Sequence, residues 1–303
     1  MLSVSAHTQR GFTLIELAIV LVIIGLIVGG VLVGRDLINA AGVRATIAQI
    51  EQYNQAANTF RGKYGFLPGD ISGTVAAQFG FVARGSSPGQ GDGNGILEGP
   101  IPYVANGVGS VEVFGEAPMF WVDLSTARLI QGGFSAASPI NPPVSVTLTT
   151  SPTMDQWFPA AKLGGGNYIY VYSAGTWWCC TFWATSGANY YGISAVSKID
   201  GASGGGNEGF FNTSTPGLTV QQAAAMDAKM DDGLPQSGNV LAQYIAGGGA
   251  RQQSFVGTAG TAATAGSATT CYDNGGTGGA PQQYSMGQNN GTGVNCALSF
   301  RFQ

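Results

Sequence analysis

Histidine is almost absent from this chain. Its 303 residues include one, His7, and only 9% of residues are charged. The first scarcity bears on chemistry. His7 lies in a short polar stretch ahead of the first apolar run, so the rest of the chain has no imidazole. The Ser-His-Asp, Cys-His and histidine-zinc plans therefore lack their central group there. The second scarcity bears on partners. Twelve basic against sixteen acidic residues give a formal net charge of -4. A duplex-DNA binder needs a basic face, and no stretch here supplies one, so strong nucleic-acid binding is not expected. Proline is missing before Pro68, which leaves nothing to break a helix up to that point. What is abundant is glycine, with 49 residues, and a hydrophobic fraction of 44%. That fraction excludes a disordered chain, and the glycines point to long irregular loops over a modest core.

Residues 12–34 read FTLIELAIVLVIIGLIVGGVLVG. These are about 23 positions, enough to cross a hydrocarbon layer of ~30 Å. A single charge, Glu16, interrupts them; Arg10 and Gly11 stand before the run, Arg35 and Asp36 after it. A secretory signal peptide has a shorter apolar region, of about 7–15 residues. A plain membrane anchor accounts for the length but not for Glu16, because an acid inside a spanning helix needs a partner. A cut between Gly11 and Phe12 creates one: a new α-amino group four residues before Glu16. In a bundle of such helices, Glu16 of one subunit meets the Phe12 amine of a neighbour. The attraction is strong at low dielectric, and a slipped helix would bury an unpaired charge, so the pair also sets the axial register.

The string Arg10-Gly11-Phe12-Thr13-Leu14-Ile15-Glu16-Leu17 resembles the cleavage and methylation motif of type IV prepilins and type II secretion pseudopilins. The resemblance implies that prepilin peptidase cuts after Gly11, that Phe12 becomes N-terminal and N-methylated, and that Glu16 acts in assembly. It implies a leader over 1–11, a transmembrane and filament-core half-helix over 12–34, an amphipathic half over 35–64 and a globular head over 65–303. The precursor would sit in the bacterial inner membrane. It would then join copies of itself in a helical filament, through a pilus or type II secretion assembly platform. The product would be extracellular, or periplasmic for a pseudopilin. Such a subunit is structural and not an enzyme, and it needs no cofactor. The phrases FWVDLSTARLIQGG and MDDGLPQSG are similar to segments of large bacterial prepilin-like proteins, and support one pilin-type head. Two rivals stay open: a type II secretion pseudopilin, and a minor or tip pilin whose head binds glycans or surfaces. A membrane-anchored enzyme is third, disfavoured by the missing histidine.

Beyond residue 34 the apolar positions Val43, Ile47, Ile50, Tyr53, Ala57, Phe60 and Tyr64 recur at spacings of three and four, which extends one helix to Tyr64. Residues 65–117 read as a loop region that opens on the turn Leu67-Pro68-Gly69-Asp70. A short helix is expected over 116–131 and another over 219–232, the second ended by Gly233. Strands are expected over Val144–Thr149, Asn167–Tyr172, Trp177–Thr185, Tyr190–Lys198 and Ala297–Phe302, with low-complexity sequence over 246–295. The fold class is α+β and pilin-like: a long N-terminal helix packed on an antiparallel sheet, with long Gly-rich loops. Trp177, Trp178, Trp183, Tyr190 and Tyr191 offer rings for sugars or bases, although strand alternation assigns half of them to the core.

Two further groups bear on function. Asp92, Asn94 and Glu98, with the Ile96 carbonyl between, resemble part of a calcium loop; the twelfth-position glutamate of a full EF-hand is missing, and a solvated glycine turn is the alternative. Asp231-Asp232-Gly233 reads as a helix end. The four cysteines, Cys179, Cys180, Cys271 and Cys296, allow three pairings. Cys271 and Cys296 enclose a Gly-rich loop, much as a C-terminal disulfide does in many pilins. Cys179 and Cys180 would then bridge each other or stay as buried thiols.

Overall fold

The computed structural model describes residues 13–86, 89–99, 114–140, 146–149, 154–173, 176–177, 180–181, 187–201, 211–245, 253–255 and 265–302. It divides into two units, Met1–Ala41 and Gly42–Gln303. Helix α1 runs over Leu14–Tyr64 and contributes to both.

In the first unit α1 is apolar on every side. Leu14, Leu21, Leu26 and Leu32 are all exposed. Its most apolar 18-residue window has a mean hydropathy of 3.0 and no buried residue, so by length and composition it can cross a membrane.

In the second unit α1 behaves differently. Val43, Thr46, Gln49, Ile50, Tyr53, Ala56, Ala57 and Phe60 form one buried stripe at helical spacing. Two polar residues sit inside that stripe for a reason. Thr46 Oγ1 accepts the Leu163 N–H at 2.9 Å, and Gln49 Oε1 accepts the Lys162 N–H at 3.0 Å while its Nε2 donates to Ala160 O at 3.0 Å. The backbone of the partly buried 160–163 turn is satisfied by the helix beneath it.

The sheet has six strands: β1 (Val146–Thr149), β2 (Asn167–Ser173), β3 (Asn189–Gly201), β4 (Phe211–Thr215), β5 (Val240–Leu241) and β6 (Leu298–Phe302). All pairings are antiparallel, and the 13-residue β3 organises them. Its first half is flanked by β2 on one edge and β6 on the other; its second half pairs with β4 and β1. The last strand, β6, lies inside the sheet between β3 and β5.

Both faces of β2 and of the first half of β3 are covered. All seven residues of β2 are buried. Val171 stands opposite Tyr191, and Tyr191 packs against Tyr53 of α1 and against Phe120 and Trp121 of α3 (Glu116–Thr126). Tyr172 stands opposite Tyr190 on the other face, where the segment 243–245 closes over them: Gln243 Nε2 donates to the Tyr172 hydroxyl and Ile245 N–H to the Tyr170 hydroxyl. Tyr190 and Tyr191 are 1% and 0% exposed, so neither is a surface platform for sugars or bases. The side chains of Trp177, Trp178 and Trp183 lie outside the described residues.

Three helices differ in detail from the sequence reading. The loop region contains α2 (Gly73–Phe79), a two-turn helix closed by Gly80 in the left-handed conformation. Helix α3 stops at Thr126, five residues short of the expected 131, because Arg128 takes a φ of 57° and turns the chain. Helix α4 (Val220–Met230) opens on a full capping box between Thr219 and Gln222. In the Gly-rich C-terminal region, Tyr272–Asp273 pairs with Gln283–Tyr284, and a disulfide joins Cys271 to Cys296 with their Cα atoms 5.0 Å apart. Cys296 also exchanges two backbone hydrogen bonds with Leu218, just ahead of α4. Cys179 and the Cys180 side chain lie outside the described residues.

Candidate functional sites: the helix start and a buried carboxylate cluster

At the start of α1, Glu16 has a partner that the sequence reading missed. Thr13 N–H and Thr13 Oγ1 both donate to Glu16 Oε2 at 2.8 Å, and the Glu16 N–H donates to Thr13 Oγ1 at 3.3 Å. This is a reciprocal capping box, which satisfies backbone donors that a helix start leaves open. The pattern Thr-x-x-Glu is its sequence signature and stands in plain view at 13–16. Gly11 and Phe12 lie outside the described residues.

The second site lies in the head, behind the turn that ends α1. Gly69 has a φ of +86°, and a Cβ there would lie 2.2 Å from Glu116 O, so only glycine lets the turn approach α3. Its N–H donates to Asp123 Oδ2 at 2.7 Å, and Asp123 also pairs with the buried Arg84 guanidinium. Asp70 follows directly and is buried. Glu116 sits in the first turn of α3, also buried.

The Gly-rich loop 91–98 wraps these two acids. Gly93 N–H and Gly95 N–H donate to the two oxygens of Asp70, each at 2.7 Å. Gly91 N–H donates to Glu116 Oε1 at 2.8 Å and Glu98 N–H to Glu116 Oε2 at 2.9 Å. Gly91 carries a φ of +97° and a Cβ there would meet Ile71 O at 2.6 Å, so its place against the helix turn is also reserved for glycine. Asn189 of β3 clamps the far end, accepting from Leu97 N–H at 2.9 Å and donating to Gly95 O at 2.9 Å.

One oxygen from each of Asp70, Asp92 and Glu116 falls within 4.8 Å of the others. Of the three residues expected from sequence, only Asp92 is in this tight group. Asn94 turns inward on the loop: its Oδ1 accepts the Ile96 N–H at 2.7 Å and its Nδ2 donates to Asp92 Oδ2 at 3.2 Å. Glu98 stands beside the group, 0% exposed, and neither of its carboxylate oxygens has a hydrogen-bond partner of normal geometry. Burial raises the Asp70 carboxyl to about 7, with Asp92 adding to the effect. Burial and then the Asp92 charge raise Glu98 to about 7, and burial holds Glu116 well above the carboxylate range. Asp70 and Glu116 were not visible as site residues because each is more than twenty positions from Asp92. The signal was an aspartate after a Pro-Gly turn and a glutamate opening an apolar helix.

The second acidic group, Asp227, Asp231 and Asp232, is occupied by its own chain. Asp227 accepts from Tyr284 Oη at 2.7 Å and Gly233 N–H at 3.1 Å, Asp231 from the Asn239 and Val240 N–H groups, and Asp232 from Leu234 N–H and Ser237 Oγ. It is the closure of a helix end.

Over residues 6–32 the chain matches the family model described as the prokaryotic N-terminal methylation motif, the signature of type IV prepilins and pseudopilins. No curated protein and no solved structure matches the chain.

Proposed function

We propose that this chain is a structural subunit of a type IV pilus-like filament, cut after Gly11 and assembled through α1. The observation that carries this reading is the methylation motif at 6–32 continuing into a helix whose apolar side chains face outward throughout Leu14–Val33. A lone acid in such a helix needs an opposite charge in an assembly of helices, and the Phe12 amine is the one that cleavage supplies at that depth. The capping box at Thr13 uses one oxygen of Glu16, Oε2, and leaves Oε1 for that amine.

A type II secretion pseudopilin shares the motif and the same chemistry. The two differ in product, so recovery of long surface fibres made mainly of this chain favours the pilus, and its retention in the periplasm favours the pseudopilus. The adhesin reading loses Tyr190 and Tyr191, which are core. The test of processing is the mass of the mature N-terminus. The expected result is a chain that begins at Phe12 with a methylated amine. A chain in the filament fraction that retains residues 1–11, or one that begins near Gly42, would overturn the proposal.

A further inference from the structure

The carboxylate cluster in the head has no role in the assembly just described, and no described residue forms an ion pair with it. Four acids, Asp70, Asp92, Glu98 and Glu116, come together from three separate segments. The charges that act on Glu98 are those of Asp92 and Asp70, both negative. Among the described residues, the ion pair nearby is Arg84 with Asp123; Arg61 lines the cleft over Asp70 but makes no ion pair with it.

A protonated cluster is the competing account; burial favours it and the hydrogen bonds oppose it. Both oxygens of Asp70 and both oxygens of Glu116 accept backbone N–H groups, an arrangement that favours the ionised form of each. Glu98 is the independent observation. A fully buried carboxylate that has Asn94 as a polar neighbour but no hydrogen bond of normal geometry is costly unless something sits against it. The charges of Asp92 and Asp70 both act on it, which places it beside the group of three.

We propose that Asp70, Asp92, Glu98 and Glu116 bind a single calcium ion. The donor set decides the class of metal: all oxygen, with no imidazole or thiolate. It also separates calcium from magnesium. Magnesium holds a near-octahedral shell and keeps several waters, whereas calcium accepts an irregular shell of six to eight oxygens from carboxylates and loop carbonyls. A cleft lined by Arg61, Phe66, Asn94 and Asn189 opens onto Asp70, which gives the ion a path from solvent. The ion would tie the end of α1, the Gly-rich loop and the start of α3 into one unit. The inference is independent of whether the chain builds a pilus or a pseudopilus.

The test uses the full chain in detergent micelles. Calcium binding is measured by equilibrium dialysis, and melting is followed in calcium, in magnesium and in chelator. The expected result is one calcium per chain, and a melting temperature higher by about 5 °C or more at a hundredfold excess over Kd. Glu98→Gln keeps the shape of the side chain and should weaken calcium binding by about tenfold or more, because it removes a charged ligand. Asp92→Asn, at an exposed position, should do the same without threatening the fold. Asp231→Asn, in the other acidic group, should leave binding unchanged. The proposal is overturned if no calcium binds at about 10 mM, above the range of extracellular calcium modules. It is also overturned if magnesium stabilises equally, or if both Glu98→Gln and Asp92→Asn bind as the wild type does.

Discussion

The two stretches of α1 both carry apolar surface and use it in opposite ways. From Leu14 to Ala41 no residue is buried within the chain, and the apolar side chains point in all directions. From Gly42 to Tyr64 a narrow stripe is buried and even includes Thr46 and Gln49, because these hold the backbone of a neighbouring turn. A helix apolar on every side needs a lipid or protein environment around it; a helix apolar on one side finds its partner in its own chain. The first stretch therefore speaks to location and assembly, the second to the stability of the head.

That contrast predicts that stability and assembly separate by mutation. The largest effect on the head should come from Cys271→Ser. The disulfide spans 25 residues of a segment with few large apolar side chains. Its loss should destabilise the head by about 3 kcal/mol in the chain-entropy account. Limited proteolysis should show new cuts between residues 271 and 296. An unchanged melting temperature and cleavage pattern would show that packing alone holds this region. Leu21→Ala, in the outward-facing stretch, should leave the melting of the head unmoved.

A smaller effect concerns Asp227. Burial raises its carboxyl from 3.8 to about 6, with Asp232 and Asp231 adding to the shift while the Tyr284 hydroxyl and Gly233 N–H oppose it. The folded chain thus binds the proton more tightly than the unfolded one. The stability it contributes is fully present at low pH, falls as pH rises from about 4 to about 6, and is constant above that. The expected change is about 1 kcal/mol, reduced by the water around the neighbouring acids. Asp227→Asn should flatten the pH dependence of melting in this window relative to wild type. Parallel pH curves for the two proteins would contradict this assignment.

The two regions also differed in how far they could be read in advance. The motif at Arg10–Leu17 is local: every residue that gives it meaning lies within eight positions, so it was legible without a fold. The stripe from Val43 to Tyr64 was legible because a helix has a fixed period. The carboxylate cluster was half legible. Asp92 and Glu98 stood out among glycines, but Asp70 and Glu116 join them only because Gly69 brings the turn against α3. Helix α2 was missed because seven residues of weak pattern, GTVAAQF, carry little periodicity. The double burial of β2 was missed because a strand's own alternation does not reveal that segment 243–245 returns to cover its second face. The capping role of Glu16 was overlooked for a different reason: its pattern is local, but a charge in an apolar run drew attention to distant partners first.

That second role of Glu16 yields the sharpest test of the assembly account. Glutamine can replace glutamate in a capping box, so Glu16→Gln preserves the helix start at Thr13 while it removes the charge. If Glu16 serves only the cap, the variant should behave as the wild type. If it pairs with the Phe12 amine of a neighbouring subunit, membrane insertion and cleavage should stay intact and assembly should fail. The measurement is the ratio of filament to membrane-pool subunit in cells that lack the native chain, with cleavage scored separately. The account predicts that Glu16→Gln lowers this ratio by about tenfold or more; a ratio equal to wild type, with cleavage complete, would contradict it.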